Sequence, residues 1–127
     1  MSANDNNITV TLQDDGGCGI KIPGTPLRTN SSDRQLRNFR DKLQNAVRDL
    51  TCFPYPFNLP IKVEFAFAYP ENSVQPSLME MTDISRESTI GILYESNDSI
   101  VSKSLVREVP TDNVGYTHIK IYIEETP

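Results

Sequence analysis

The sequence predicts an α+β (mixed α/β) fold: a single small domain with a mixed β-sheet of about five to six strands and one principal helix. Three observations predict it. Residues 61–69, IKVEFAFAY, set Ile61, Val63, Phe65, Phe67 and Tyr69 at a strict period of two, as in a strand with one buried face. Ile119, Ile121 and Ile123 repeat that alternation later in the chain. Between the opening strands and residue 61, Leu36, Phe39, Leu43, Ala46, Val47 and Leu50 recur at helical spacing.

The first element is NITVTLQDDGGCGIKI, residues 7–22. Ile8, Val10 and Leu12 alternate with polar residues, and Cys18, Ile20 and Ile22 alternate again after DDGG, which predicts a hairpin. Gly16 or Gly17 is expected to supply the positive φ of its turn. PGTP, from Pro23 to Pro26, ends the second strand and redirects the chain. Ser31, Ser32 or Asp33 is placed to cap the helix, which runs to about Leu50. CFPYPFNLP is a proline-punctuated connection with aromatics folded over the core.

In the strand 61–69, Ala66 and Ala68 face the other way, so that side is expected to be covered closely, by the helix. PENSVQPSLME reads as a mobile loop, TIGILY as a short strand, SIVSKSLVRE as a longer one and VPTDNVG as a turn. YTHIKIYIEE is the last strand. The predicted order is β-β-α-β-loop-β-β-β.

Length and composition bound the function. At 127 residues the chain is one domain, 1–127, able to bury a core without disulfides or a structural metal. MSANDNN, residues 1–7, is expected to form a disordered tail, with neither the basic start nor the apolar core of a signal peptide. No apolar run approaches the roughly 20 residues that span a bilayer, so a soluble, cytoplasmic protein with no membrane partner is expected. Cys18, Cys52 and the single histidine make no zinc pattern. Both cysteines read as small buried residues; a disulfide would need their Cα atoms within about 7 Å.

A net charge of -5 and a pI of about 4.8 argue against general affinity for nucleic acid. Distribution matters more than the sum. Arg34, Arg37 and Arg48 lie on the helix side opposite the apolar one, with Arg40 and Lys42 nearer its borders. Asp33, Asp41 and Asp49 offset part of this charge. The face is either solvated surface with i,i+4 pairs such as Arg37–Asp41, or a DNA-binding surface that meets phosphates.

No glycine-rich phosphate loop bridges a strand to a helix. His118 alternates with isoleucines and reads as a strand-face residue rather than a catalytic base. The remaining chemistry lies in residues 81–101, where Asp83, Glu87, Glu95 and Asp98 flank a short apolar run. Magnesium takes oxygen ligands at about 2.0–2.1 Å, usually including one or two carboxylates. The four acids are candidate metal ligands that converge at one sheet end; scattered surface acids are the plain alternative. Ser85, Ser88, Ser96 and Ser99 lie among them.

The element order, with IKIPGTPLRTN, PIKVEFAFAYP, GILYESNDSIV and THIKIYIEE, resembles the RusA family over roughly residues 18–125. These are small Holliday-junction resolvases of DNA recombination and repair, dimeric magnesium-dependent endonucleases often carried by prophages. The family's motif is Asp-x-Asp-Asn followed by a lysine, with a helix after it and an Asp–Asp pair further on. DISRES stands in its place, so Asp83 matches the first aspartate, Ser85 the second and Arg86 the asparagine. The lysine has no counterpart. In the later pair Glu95 matches the first acid, and Ser96 replaces the second, which the resemblance implies is a metal ligand.

The resemblance thus implies a RusA-like homodimer with impaired or lost nuclease activity that retains branched DNA as a partner. Asp83 and Glu95 keep the catalytic positions, Ser85 and Ser96 are the degenerate ones, and magnesium is a cofactor only of a functional site. One alternative is an active magnesium-dependent, structure-specific endodeoxyribonuclease in which Glu87 or Asp98 substitutes. Another is an unrelated α+β protein-interaction module.

Overall fold

The first alternating residues pair as a hairpin. In the computed structural model, which describes residues 8–12, 17–48, 61–93, 100–111 and 113–123, β1 (Thr9–Leu12) runs antiparallel to β2 (Cys18–Pro23). Gly17 carries no positive φ; it instead lets the chain at Ile121 and Tyr122 approach closely. A Cβ there would lie 2.6 Å from the Ile121 carbonyl oxygen and 2.6 Å from the Tyr122 ring. Gly16 lies outside the described residues. After β2, Gly24 adopts a φ of 111° and its N–H donates to the Gly115 carbonyl at 2.9 Å. That left-handed turn, open to glycine, is how PGTP redirects the chain.

A reciprocal cap starts α1 (Asp33–Arg48). Ser32 Oγ accepts from the Gln35 N–H at 3.1 Å, and Gln35 Oε1 accepts from the Ser32 N–H at 2.8 Å. The helix buries Leu43, Ala46 and Val47, with Leu36 and Phe39 half-buried beside them. Leu50, Asp49 and Cys52 lie outside the described residues, while Cys18 is fully buried in the core.

Among the described residues, five strands form one mixed sheet in the order β1-β2-β5-β3-β4. β5 (Tyr116–Ile123) lies antiparallel between β2 and β3 (Ile61–Ala68), and β4 (Ile100–Glu108) pairs parallel with β3 at the edge. Parallel neighbours need a crossover connection, and α2 (Leu78–Thr89) provides it. Leu43, Val47, Met81 and Ile84 of the helices pack against Ile20, Phe65, Phe67 and Ile119 of the sheet in one cluster. No helix among the described residues is long and apolar enough to cross a membrane.

Three readings of the sequence are corrected here. Residues 78–80 open a second helix instead of belonging to a loop, and residues 89–93 of TIGILY form no strand, Tyr94 lying outside the described residues. Ile90 makes an isolated bridge and residues 91–93 turn, with Gly91 at a φ of 83° and the N–H groups of Ile92 and Leu93 both donating to Thr89 O at 3.0 Å. α2 escapes apolar periodicity because its buried face is Met81, Ile84, Ser85, Ser88 and Thr89, three of them hydroxyl residues. Those hydroxyls bond back to carbonyls of their own helix, which lets them be buried: Ser85 to Thr82, Ser88 to Ile84, Thr89 to Ser85. Thirdly, the face carrying Ala66 and Ala68 is covered as expected, but by no helix among the described residues. They are 6% and 0% exposed but lie on the opposite sheet face, beside His118 and Tyr116 across the ladder.

Candidate functional site

Asp83 and Glu87 sit one turn apart on α2, half-exposed and exposed respectively. Side chains four residues apart on a helix are neighbours, so these two acids are together. Ser85 is not with them. Each residue turns a helix by about 100°, so a two-residue step turns it about 200° and sets Ser85 on nearly the opposite side from both. Ser85 is 0% exposed, against the sheet edge. Glu95, Ser96 and Asp98 lie outside the described residues.

Ser85 faces a cation. Lys103, on the helix-covered face of β4 and in register with Val63, donates from Nζ to Ser85 Oγ at 3.2 Å. Ser85 in turn donates to the Thr82 carbonyl at 2.8 Å. The Lys103 ammonium also stands 5.9 Å from the centroid of the Phe65 ring. Burial, then the like charge of Arg86, holds the Lys103 pKa below the ordinary lysine value. These donors do not fit magnesium, because the hydroxyl already accepts from an ammonium. Among the described residues, no three His, Cys, Asp or Glu side chains gather as a metal site. Lys103 is the residue that reading the sequence missed. Its signal is a lone cation at an inward position of an alternating strand.

The first turn of α2 holds a second charged group. Ser77 Oγ caps the helix by accepting from the Glu80 N–H at 3.1 Å. The Glu80 carboxylate accepts two bonds from Arg28, at 2.8 Å from Nε and 3.0 Å from Nη2, and a third from the Thr29 N–H at 3.1 Å. Arg28 also donates to Val74 O and lies over the Tyr69 ring, 5.3 Å from its centroid. Tyr69 donates to Leu27 O at 2.7 Å, and burial pushes its phenol pKa up to about 12. This network straps the segment before α1 to the start of α2.

Hydrogen bonding from Arg28, ahead of the bonds from Thr29, holds Glu80 below the usual carboxylate pKa, although burial opposes the shift. A depressed folded-state pKa gives stability that is complete above the unfolded value and is lost as pH falls through the folded one. Glu80→Gln is therefore expected to melt lower than wild type at pH 7. The gap should close as pH falls below about 4, beneath the unfolded glutamate pKa. Thermal melts of both proteins from pH 7 to pH 2.5 check this, and a gap that does not change with pH would refute it.

On α1, Arg34, Arg37 and Arg48 are exposed, and none makes an ion pair among the described residues. The expected Arg37–Asp41 pair does not form. Arg37 borders a shallow depression of about 320 Å³ shared with Arg40, Gln44 and Ile92, but Asp33 and Asp41 line it too. Arg40 has a structural task, since its Nη1 donates to Glu87 O at 2.9 Å near the end of α2. His118 lies on the sheet face away from the helices, where burial and then Lys120 and Lys21 lower its pKa. Compared with known proteins, the chain matches no protein family, and no curated protein is similar enough to count as a relative.

Proposed function

We propose that this chain is a RusA-like domain of the cytoplasm that binds branched DNA as a homodimer and lacks the family's metal-dependent cleavage. The contact between Lys103 and Ser85 carries the reading. Where the resemblance expects a metal-binding aspartate, a buried hydroxyl meets an ammonium, and Asp83 lies on the other side of the helix. One element departs from the resemblance: the family's motif precedes a helix, whereas Asp83–Ser88 lie inside α2 itself.

Incubation with a synthetic four-way junction in magnesium or manganese tests this. Salt-sensitive binding without cleavage is expected. Cleavage would overturn the reading in favour of a nuclease using Glu87 or Asp98, and an absence of binding would leave an interaction module. Light scattering at micromolar concentration is expected to return about twice the 14.3 kDa chain mass, since two-fold dimers are the commonest oligomers. A clean monomer would count against the dimer and the resemblance together.

A further inference from the structure

The seam between α2 and β4 gathers three cations that the acid-centred reading of residues 81–101 does not use. Lys103 and Arg107 lie on the same face of β4, four residues and so about 13 Å apart. Lys103 reaches Ser85 midway along α2, and Arg107 Nη1 reaches the Pro76 carbonyl at 3.5 Å, just ahead of that helix. Arg86 follows Ser85 on α2, one residue from the hydroxyl that Lys103 meets, and its like charge adds to burial in lowering the Lys103 pKa. None of the three makes an ion pair among the described residues. Asp83 and Glu87 cannot neutralise Lys103, because they lie on the far side of α2 from Ser85.

We propose that this seam binds a phosphate group, with Lys103 and Arg86 as its ligands and Arg107 continuing the track towards the start of α2. It rests on the DNA-binding reading, in which the phosphate belongs to a nucleic-acid backbone. An anion between Lys103 and Arg86 relieves their repulsion and is poorly hydrated by competing water, because Lys103 is half-buried against Phe65 and Ser85. At the Arg107 end, the N-terminal dipole of α2 favours negative charge as well.

The test compares wild type with Lys103→Met, which keeps the aliphatic stem over Phe65, and with the exposed-site variant Arg86→Gln. Inorganic phosphate, measured against chloride at equal ionic strength, is expected to raise the wild-type melting temperature, because a ligand of the folded state stabilises it. Each variant should show half that rise or less. Four-way junction affinity should fall about 3–10-fold per variant, with a salt slope lower by about one. Should Lys103→Met fail to fold, Arg86→Gln alone decides. No phosphate response in wild type, or an equal rise in all three proteins, overturns the site. A response that depends on these residues, with no junction binding by wild type, keeps the phosphate site and overturns the DNA reading.

Discussion

Ser85→Asp is expected to lower the melting temperature by about 6–15 °C, and manganese is expected not to restore it. The side chain at this position is 0% exposed and mid-helix, so the substitution buries a carboxylate where a small hydroxyl was satisfied. Lys103 is 3.2 Å from that hydroxyl and offers a partner, which keeps the net cost to about 2–3 kcal/mol rather than that of an unpaired charge. For a domain of this size each kcal/mol moves the transition by about 3–5 °C. Lys103→Met should therefore cost more in the Ser85→Asp background than in wild type, since it strands the buried charge.

Adding Ser96→Asp brings the acid count up to the family's. Calorimetric titration with manganese should still not distinguish the double variant from wild type, because positions 83 and 85 face opposite sides of α2. Manganese binding by the double variant alone would show that these positions converge, and would reinstate a lost metal site.

The triple variant Arg34→Gln, Arg37→Gln, Arg48→Gln is expected to weaken four-way junction binding by about 100-fold or more. Each arginine that neutralises a phosphate releases about one counterion, so the dependence of affinity on salt should lose about 2–3 units of slope. The fold should persist, because all three side chains are exposed and make no ion pair among the described residues. Melting within about 0.5 kcal/mol of wild type is expected for such surface changes. Unchanged junction binding would return this face to solvated surface.

β3 and β5 are plain in the sequence because large apolar residues recur at a period of two on the helix-covered face of each, although β3 also buries Ala66 and Ala68 on the other face. α1 is equally plain, down to Ser32 as one of three candidate caps. α2 is not, because hydroxyls take the place of apolar residues on its buried side. The only local clue is Ser77 followed three residues later by Glu80, a box whose acid then turns to Arg28 instead of the cap. The candidate site inherits that difficulty. Asp83-x-Ser85 has one meaning in an extended loop, where alternate residues share a side, and the opposite meaning in a helix. Lys103 needs still more, namely the β3–β4 register and the placement of α2 over it. Neither is local, so neither is legible in the sequence around Lys103.

The place of β5 in the sheet bears on how the chain matures on the ribosome. β2 and β3 are not hydrogen-bonded to each other; each meets β5, the last of the described strands to be synthesised. Until Ile119 and Ile121 emerge, the β1–β2 hairpin and the β3-α2-β4 crossover are two half-sheets, each with an open edge where β5 will pair. Folding of the domain thus waits for β5, and a pause before residue 116 leaves the matching edges of β2 and β3 available to chaperones or to another nascent chain.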